Sequence, residues 1–260
     1  MIELISTPWT EVAEYADDTL RQGRPVLGVL GFGALEQHGP HLPLGTDTYQ
    51  ADHLARLLAI ELDALLLPSI GYGATWTNAG YPGTVSLSPA TVRSIVTDIG
   101  ASLRDGQLHV CGLVVVNGDW GNRMPLMNAA QELIHAGLAT IILDYPGMDE
   151  RAAEILDSPA AAPNLHHADE LETSLMLAID EQLVRPDPHV SCYPKLPADF
   201  GIRPRQLHPY SATGVFGDPS AASIVKGRDL ISTVVARSVE ILDDFITDCC
   251  DIHAHSGKVR

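Results

Sequence analysis

Residues 25–31 read PVLGVLG, an apolar run that predicts a buried β-strand and leads directly into a loop rich in glycine and proline. Similar apolar runs follow at residues 64–70, 109–116 and 139–143. Near-continuous hydrophobic strands are typical of parallel sheets that are covered by helices on both faces. These runs therefore predict a parallel or mostly parallel sheet.

Amphipathic stretches separate the predicted strands. Helices are expected at residues 48–61, 88–104, 122–136, 169–179 and 219–251. The start of the second helix is marked by Ser88 as N-cap and Pro89 at the first helical position. Because strands and helices alternate without a repeat or a linker composition, the sequence predicts one α/β domain over residues 1–260.

The composition limits the classes of partner. The chain has 260 residues, of which 45% are hydrophobic, and a formal net charge of −17. An acidic surface repels phosphate backbones, so no nucleic-acid partner is expected. The N-terminus lacks a basic region followed by an apolar run, and no window approaches the ~18 apolar residues that span a bilayer. With four cysteines and no C-x-x-C spacing, we expect reduced thiols, a cytoplasmic location and no membrane partner.

Ligands of parallel sheets bind beyond the carboxyl ends of the strands, so the loops after residues 31, 70, 117 and 144 are expected to share one rim. The first of these loops contains EQHGPHLPLGTD, with two acidic residues and two histidines, Glu36, His38, His41 and Asp47. Proline and glycine fix the shape of such a loop. Carboxylates and imidazoles suit Zn, Mn, Fe or Co, so the loop predicts a metal site; a solvated surface loop is the alternative.

A second loop after a predicted strand reads NGDWGN and spans residues 117–122. Asp119 is a candidate metal ligand, and Trp120 is a candidate wall of a pocket. The alternative is that Asp119 or Asn122 caps the helix that follows. The spacing alone does not separate these two interpretations.

The third segment reads HHADELETS and spans residues 166–174. If the helix includes the whole segment, His167 and Glu170 lie three positions apart on one face and can address a common ion. The alternative is that the acidic residues are there because the helix dipole favours negative charge in the first turn.

Five segments of the chain together resemble the creatininase (creatinine amidohydrolase) family, in sequence and in order. They are EQHGPHLPLGTD at 36–47, PGTVSL at 82–87, NGDWGN at 117–122, HADELETS at 167–174 and GVFGDP at 214–219. The third and fourth are similar to the family motifs N-G-H-G-G-N and H-A-G-E-x-E-T-S. The resemblance extends over nearly the whole chain.

The resemblance implies a three-layer α/β/α sandwich, a homo-oligomer that is usually a hexamer, and two divalent metal ions of uncertain identity (Zn, Mn or Fe). Carried over to this sequence, it implies that Glu36 binds one metal, that His38 binds the other, and that Asp47 bridges both. It also implies that His41 supports the loop by hydrogen bonding.

The resemblance further implies an acid/base role for His167. Glu170 is taken as the remaining carboxylate ligand and as part of the catalytic set, with Glu172 close enough in sequence to compete for that place. Substrate binding is assigned to Trp76, Trp120 and Asn122; for each tryptophan the alternative is packing in the core.

The chain departs from the family at Asp119, where a metal-binding histidine is expected, and at Trp120, where the motif has glycine. With Asp119 the four carboxylates of the ligand set carry −4 against +4 from two divalent ions. Such an oxygen-rich site favours harder ions such as Mn or Mg over Zn. Three outcomes stay open: an enzyme with altered metal preference, a mononuclear enzyme, or a site that has lost catalysis.

The predicted function is that of a metal-dependent amidohydrolase that cleaves a small C–N bond in a lactam-like ring, a formamide or a short peptide amide. The reaction would use a hydroxide held by two metals, with His167 donating a proton to the leaving nitrogen. The alternatives are a non-catalytic metal- or ligand-binding family member and a hydrolase of a cyclic keto-sugar. The expected partner is a small-molecule substrate.

Overall fold

The computed structural model describes residues 1–163, 165–185 and 190–256. Within them, one sheet of five parallel strands has the order β1-β3-β2-β4-β5. The strands are β1 (Ile2–Glu3), β2 (Val26–Phe32), β3 (Leu65–Leu66), β4 (Val110–Asn117) and β5 (Ala139–Leu143). The helices are α1 (Trp9–Arg21), α2 (Thr46–Glu61), α3 (Pro89–Asp105), α4 (Arg123–His135), α5 (Met148–Ile155), α6 (Glu170–Asp180) and α7 (Ile224–Ser256).

Two apolar clusters cover the two faces of the sheet. Side chains alternate along a strand, so Leu27 and Val29 of β2 point to one face, while Leu30 and Phe32 point to the other. The first face packs against α2, α5, α6 and α7, and the second packs against α1, α3 and α4. The predicted three-layer α/β/α sandwich is confirmed.

Some of the predicted helix and strand boundaries agree with the structure, and others differ from it. Helix α3 begins as predicted, with the Ser88 hydroxyl accepting a hydrogen bond from Thr91 N–H at 3.1 Å and Pro89 at the first position. The strand predicted at residues 64–70 shrinks to the two residues of β3. The helix predicted from residue 219 begins at Ile224, after a separate 3₁₀ turn at Pro219–Ala221. Helices α1 and α5 and strand β1 were not predicted.

The described helices contain none that is both long and apolar enough to cross a membrane. The longest, α7, packs its apolar side against the sheet and against α6. The apolar side chains of α7 therefore belong to the core that the sheet forms with α2, α5 and α6.

Candidate metal centre and active site

The loop between β2 and α2 is folded back over the carboxyl end of β2. Glu36 N–H donates to the carbonyl of Leu44 at 2.9 Å, which closes the loop on itself. Gly33 packs so closely against Thr48 that a side chain there would collide with the helix backbone. The loop thus presents Glu36 from its start and Asp47 from the first turn of α2.

The loop after β4 meets this first loop at close range. A side chain at Gly118 would collide with the carbonyl oxygen of Asp47, so glycine is needed for the approach. Asp119 then begins a short 3₁₀ turn, and its Oδ1 accepts a hydrogen bond from Gly121 N–H at 3.1 Å. The predicted common rim is confirmed for these two loops.

The third segment reaches the rim through its own turn. Ala168 has a left-handed backbone with φ 53°, and Asp169 caps α6 by accepting from Leu171 N–H at 3.0 Å. Glu172, at the third helical position, turns back and accepts from Ala168 N–H at 2.5 Å. The pattern is similar to a capping box, except that Glu172 accepts from the residue before the N-cap and not from the N-cap itself. It places the carboxylate of Glu172, and not that of Glu170, on the rim.

These three segments bring together overlapping groups of potential metal ligands, with ligand atoms within 4.8 Å of one another. They are Glu36–Asp47–Asp119, His38–Asp47–Glu172 and Glu36–His38–His167. His38 Nε2 lies 3.0 Å from Asp47 Oδ1 and 3.6 Å from Glu172 Oε2. Asp47 is the residue that the first two groups share.

The donor atoms of this centre are left available in a way that fits a cation. His38 Nδ1 lies 3.2 Å from the carbonyl of Glu36 and donates to it, so in the neutral ring the lone pair is on Nε2. That Nε2, Asp47 Oδ2 and Asp119 Oδ2 are buried and have no hydrogen-bond partner among the described residues. Buried polar atoms without partners cost free energy, and divalent cations bound between them would satisfy all three.

The electrostatics of the centre also call for positive charge. Burial raises the pKa of Asp119 to about 8, with Asp47 adding to the rise. Burial, followed by Asp119 and Asp47, raises the pKa of Glu36 well above its usual range. Burial works to lower the pKa of His38, but Asp47 and Glu172 outweigh it and raise that pKa well above its ordinary value. Burial opposes the charge of Glu172, yet His38 lowers the pKa of this carboxyl to about 2. Four carboxylates thus surround one imidazole whose pKa is raised, that of His38, and divalent cations would supply the missing positive charge.

His167 lies between His38 and Gln37 beside the carboxylates. Its ring centroid is 4.5 Å from that of His38. Gln37 Nε2 lies 2.7 Å from His167 Nε2, and since an amide nitrogen only donates, this contact assigns the ring proton to Nδ1. That Nδ1 is 3.9 Å from Glu36 Oε1. Burial, followed by the charge of His38, lowers the pKa of His167 to about 3, so the ring is neutral near pH 7.

The placement of Glu170 corrects the sequence prediction. Its carboxylate accepts hydrogen bonds from the backbone N–H groups of Asp157 and Ser158 at 3.1 and 2.7 Å and pairs with Lys226. It is absent from the ligand groups found among the described residues. The prediction failed because it extended helical spacing to His167, whereas the helix begins only at Glu170. The pattern Asp169-x-x-Glu172 was the signal that the Glu172 side chain turns back toward the start of the helix.

The three predicted substrate-binding residues separate in the structure. Trp120 is 65% exposed and lines a cavity of about 330 Å³ together with Asp119 and Glu172. Trp76 is 50% exposed, so core packing does not explain either tryptophan. Asn122 is fully buried: its Oδ1 accepts from Ala74 N–H at 2.8 Å, and its Nδ2 donates to the Gly33 carbonyl at 3.0 Å. Both ends of its amide bind backbone groups, and it is not among the residues that line the cavity, so its role in substrate binding stays a prediction.

His41 lies where the resemblance implied. Its Nε2 is 2.9 Å from Thr173 Oγ1, a contact that joins the first loop to helix α6. The carbonyl of His41 also accepts from Arg185 N–H at 2.8 Å. Two residues that line the cavity, Gln50 and Tyr145, were not singled out from the sequence. Neither stands in a recognisable motif, so only the fold brings them to notice.

Comparisons with known proteins agree with this geometry. The sequence model described as Creatininase: Creatinine amidohydrolase matches residues 6–242. The mycofactocin precursor peptide peptidase of Mycolicibacterium smegmatis is 31% identical over 212 residues, which cover 78% of this chain and 78% of that protein. The creatinine amidohydrolase of Pseudomonas putida is 29% identical over 223 residues, covering 80% of this chain and 85% of that one.

Solved structures give the same result at the level of the fold. An Mn form of creatininase superposes with a TM-score of 0.77 at 26% identity, covering 94% of this chain and 98% of that one. A Zn–Zn form of a creatininase mutant gives the same TM-score, identity and coverage. The similarity therefore extends over nearly all of the chain, including the segments that form the centre.

Proposed function

This chain belongs to the creatininase family of metal-binding amidohydrolases, and from that premise we propose that it hydrolyses a C–N bond of a small molecule at a centre of two divalent metals. The single observation that carries the proposal is the convergence of two ligand groups on one shared carboxylate, Asp47. The unpartnered Asp47 Oδ2, Asp119 Oδ2 and His38 Nε2 support it.

The residues divide naturally between two metal positions. Glu36 and Asp119 would hold one ion and His38 and Glu172 the other, with Asp47 between them. When bound, the two ions supply Lewis acidity for the scissile carbonyl and lower the pKa of water for attack on it. Asp119 in place of an imidazole leaves the ligand set complete in number, which favours an active enzyme over a degenerate binding protein.

His167 is the group proposed to handle the proton. Its Nδ1–H lies on the side of Glu36, and its Nε2 is fixed by Gln37. The contact with Gln37 holds the ring in one tautomer and one orientation. Because the ring is neutral near pH 7, it would first accept the proton that the attacking water loses and then pass a proton to the leaving nitrogen. His41 and Asn122 hold the loops in place and take no part in the chemistry.

The substrate is proposed to be small, because the cavity beside the centre holds about 330 Å³. An amide within a peptide is the second candidate, and it is favoured by the relatives that are described as precursor peptide peptidases. Trp120, exposed at the cavity, offers a flat surface for either substrate. Assembly into a homo-oligomer is also proposed, from the family resemblance.

The test combines metal content with turnover. The purified protein, stripped and reloaded with Mn or Zn, is assayed against creatinine and other cyclic amides, formamides and short peptides. We expect about two metals per chain and metal-dependent release of an amine or acid from one of these classes. Glu36→Gln and Asp47→Asn should lose both, while Asp98→Asn, at an exposed carboxylate on α3, should lose neither. Full activity in the first two variants would refute the mechanism.

A further inference from the structure

The cavity beside the metal centre contains two buried hydrogen-bond donors that nothing in the described structure satisfies. Gln50 is only 2% exposed, and its amide nitrogen has no partner. The Tyr145 hydroxyl is buried and also lacks a partner. Both residues line the same cavity as the metal-ligand candidates Asp119 and Glu172. Buried donors in a folded protein are nearly always paired, so two orphans in one cavity require an explanation.

Gln50 lies on the same helix as the candidate metal ligand Asp47. It follows Asp47 by three residues on α2, and residues at that spacing lie on the same face of a helix. An amide nitrogen donates hydrogen bonds and cannot ligate a cation, so metal loading would leave the orphan unsatisfied. Its acceptor must come from something that enters the cavity.

Tyr145 lines the cavity from the loop that follows β5, whereas Gln50 lines it from α2. Its backbone is left-handed, with φ 49°, a conformation that is uncommon for residues other than glycine. The turn is closed by a hydrogen bond from Met148 N–H to the Tyr145 carbonyl at 3.1 Å. Burial and the surrounding carboxylates, Asp47 first among them, raise the pKa of Tyr145 well above its ordinary value. The hydroxyl therefore keeps its proton and acts as a donor.

The charges around the cavity indicate what kind of acceptor fits. Besides the ligand candidates, Asp144, Asp149 and Glu150 line it, and Arg123 pairs with Asp144. A carboxylate or phosphate on the incoming molecule would meet this excess of negative charge. A neutral carbonyl oxygen accepts two hydrogen bonds without that penalty.

We propose that Gln50 Nε2 and Tyr145 Oη are a pair of donors that bind the neutral carbonyl oxygen of the substrate beside the metal centre. The inference rests on the proposed function and deepens it, because it selects uncharged amides over acyl groups that carry an anion near the scissile bond. Both residues are then catalytic in the sense that they touch the substrate at the reacting group.

The test is binding of 2-pyrrolidinone, a small neutral cyclic amide, to the Mn-loaded full chain by calorimetry. The variants are Gln50→Leu and Tyr145→Phe, and the control is Tyr49→Phe, an exposed tyrosine next to Gln50 on the same helix. Metal content and melting temperature are measured for each. We expect unchanged metal content, melting temperatures that are equal or higher, and Kd values weakened about three- to tenfold in the two variants but not in the control.

The outcomes separate this inference from the function on which it rests. Equal binding of the neutral amide in all variants, with metal bound, would overturn the inference alone and show that the donors hold only water. Loss of metal or a lower melting temperature in Gln50→Leu and Tyr145→Phe would also overturn it, by showing a supporting role. A wild-type chain that takes up no Mn would overturn the proposed function, and the inference with it.

Discussion

The carboxylates of Glu170 and Glu172 are separated by one residue on the same helix, yet they lie in opposite electrostatic environments. Glu170 is paired with Lys226 and accepts hydrogen bonds from two backbone amides. Burial raises its pKa, but these partners outweigh burial and hold the pKa below its ordinary value. Glu172 instead faces His38, which itself lies 3.0 Å from the carboxylate of Asp47.

This difference separates a carboxylate that supports the structure from one that is a candidate metal ligand. The charge of Glu170 is balanced by groups of the protein, so nothing else is needed there. The negative charges around Glu172 exceed what one imidazole can balance, and two of the carboxylate oxygens, Asp47 Oδ2 and Asp119 Oδ2, lack partners among the described residues. A surplus of buried negative charge is typical of a cation site, whereas a balanced pair is typical of structural support.

Asp47→Asn is expected to have the largest effect, since Asp47 is the residue that joins the group containing Asp119 to the group containing Glu172. Losing a bridging charge removes several kcal/mol of metal-dependent stabilisation, which corresponds to a rate loss on the order of 10³-fold or more. The measurement is turnover together with metal content. Asp52→Asn, on the same helix, is the control; a mutant of Asp47 that keeps two metals and full turnover would contradict the assignment.

Glu172→Gln against Glu170→Gln tests the comparison directly, because the two changes are chemically identical. We expect Glu172→Gln to lose metal and to slow turnover by on the order of 10²-fold or more. Glu170→Gln should keep its metals and its rate but unfold more easily, by about 1–3 kcal/mol, because Lys226 loses its buried partner. Metal analysis, kinetics and denaturant unfolding separate the two results, and the reverse pattern would restore Glu170 as the ligand.

The sequence predicted the part of the site that is fixed by local order. Residues 36–47 carry their ligands in a loop that proline and glycine shape, so Glu36, His38 and Asp47 could be placed together from sequence. Glu170 was chosen over Glu172 because helical spacing was applied across a helix start. That error is local: the left-handed Ala168 and the cap at Asp169 break the register.

Other features depended on tertiary contacts that no local pattern encodes. The layers of the sandwich followed from the apolar strands, but the short strand β1 gains its place only by pairing with β3. Asn122 follows a motif that suggested binding, yet its amide is used by Ala74 and Gly33, which are distant in sequence. Contacts of this kind appear only when the loops are assembled.

The pH dependence of the free energy of unfolding should have opposite signs for Asp119, at the metal centre, and for Glu170. Asp119 has a pKa of about 8 in the folded chain, against an ordinary 3.8, so the metal-free fold binds a proton that the unfolded chain releases. Stability therefore falls as pH rises from about 4 to 8. The lowered pKa of Glu170 acts oppositely: its contribution is present above pH 4.5 and is lost as pH falls.

The measurement is the melting temperature of metal-stripped protein at pH 6.5 and 8. The Asp119 shift alone predicts a loss of about 2 kcal/mol over this interval, or about 5 °C. Added Mn should remove the difference, because the cation replaces the proton. Metal-free Asp119→Asn should show a much smaller change. Equal melting temperatures at both pH values in the metal-free wild type would contradict the raised pKa.

Asp119→His is expected to have the smallest effect and the most informative one. An imidazole at this position reduces the carboxylate charge of the centre from −4 to −3 and replaces a hard oxygen ligand with nitrogen, which zinc accepts more readily than manganese does. We expect the ratio of zinc to manganese bound in competition to rise about tenfold, a change of about 1.4 kcal/mol. Asp119→Asn, which removes the charge without adding an imidazole nitrogen, shows how much of the shift is due to charge alone.

If neither variant changes the ratio, Asp119 is no ligand, and its unpartnered oxygen must be satisfied by water. If only the histidine does, ligand type sets the metal preference of this centre, and the surplus of buried charge that distinguishes Glu172 from Glu170 sets only its affinity.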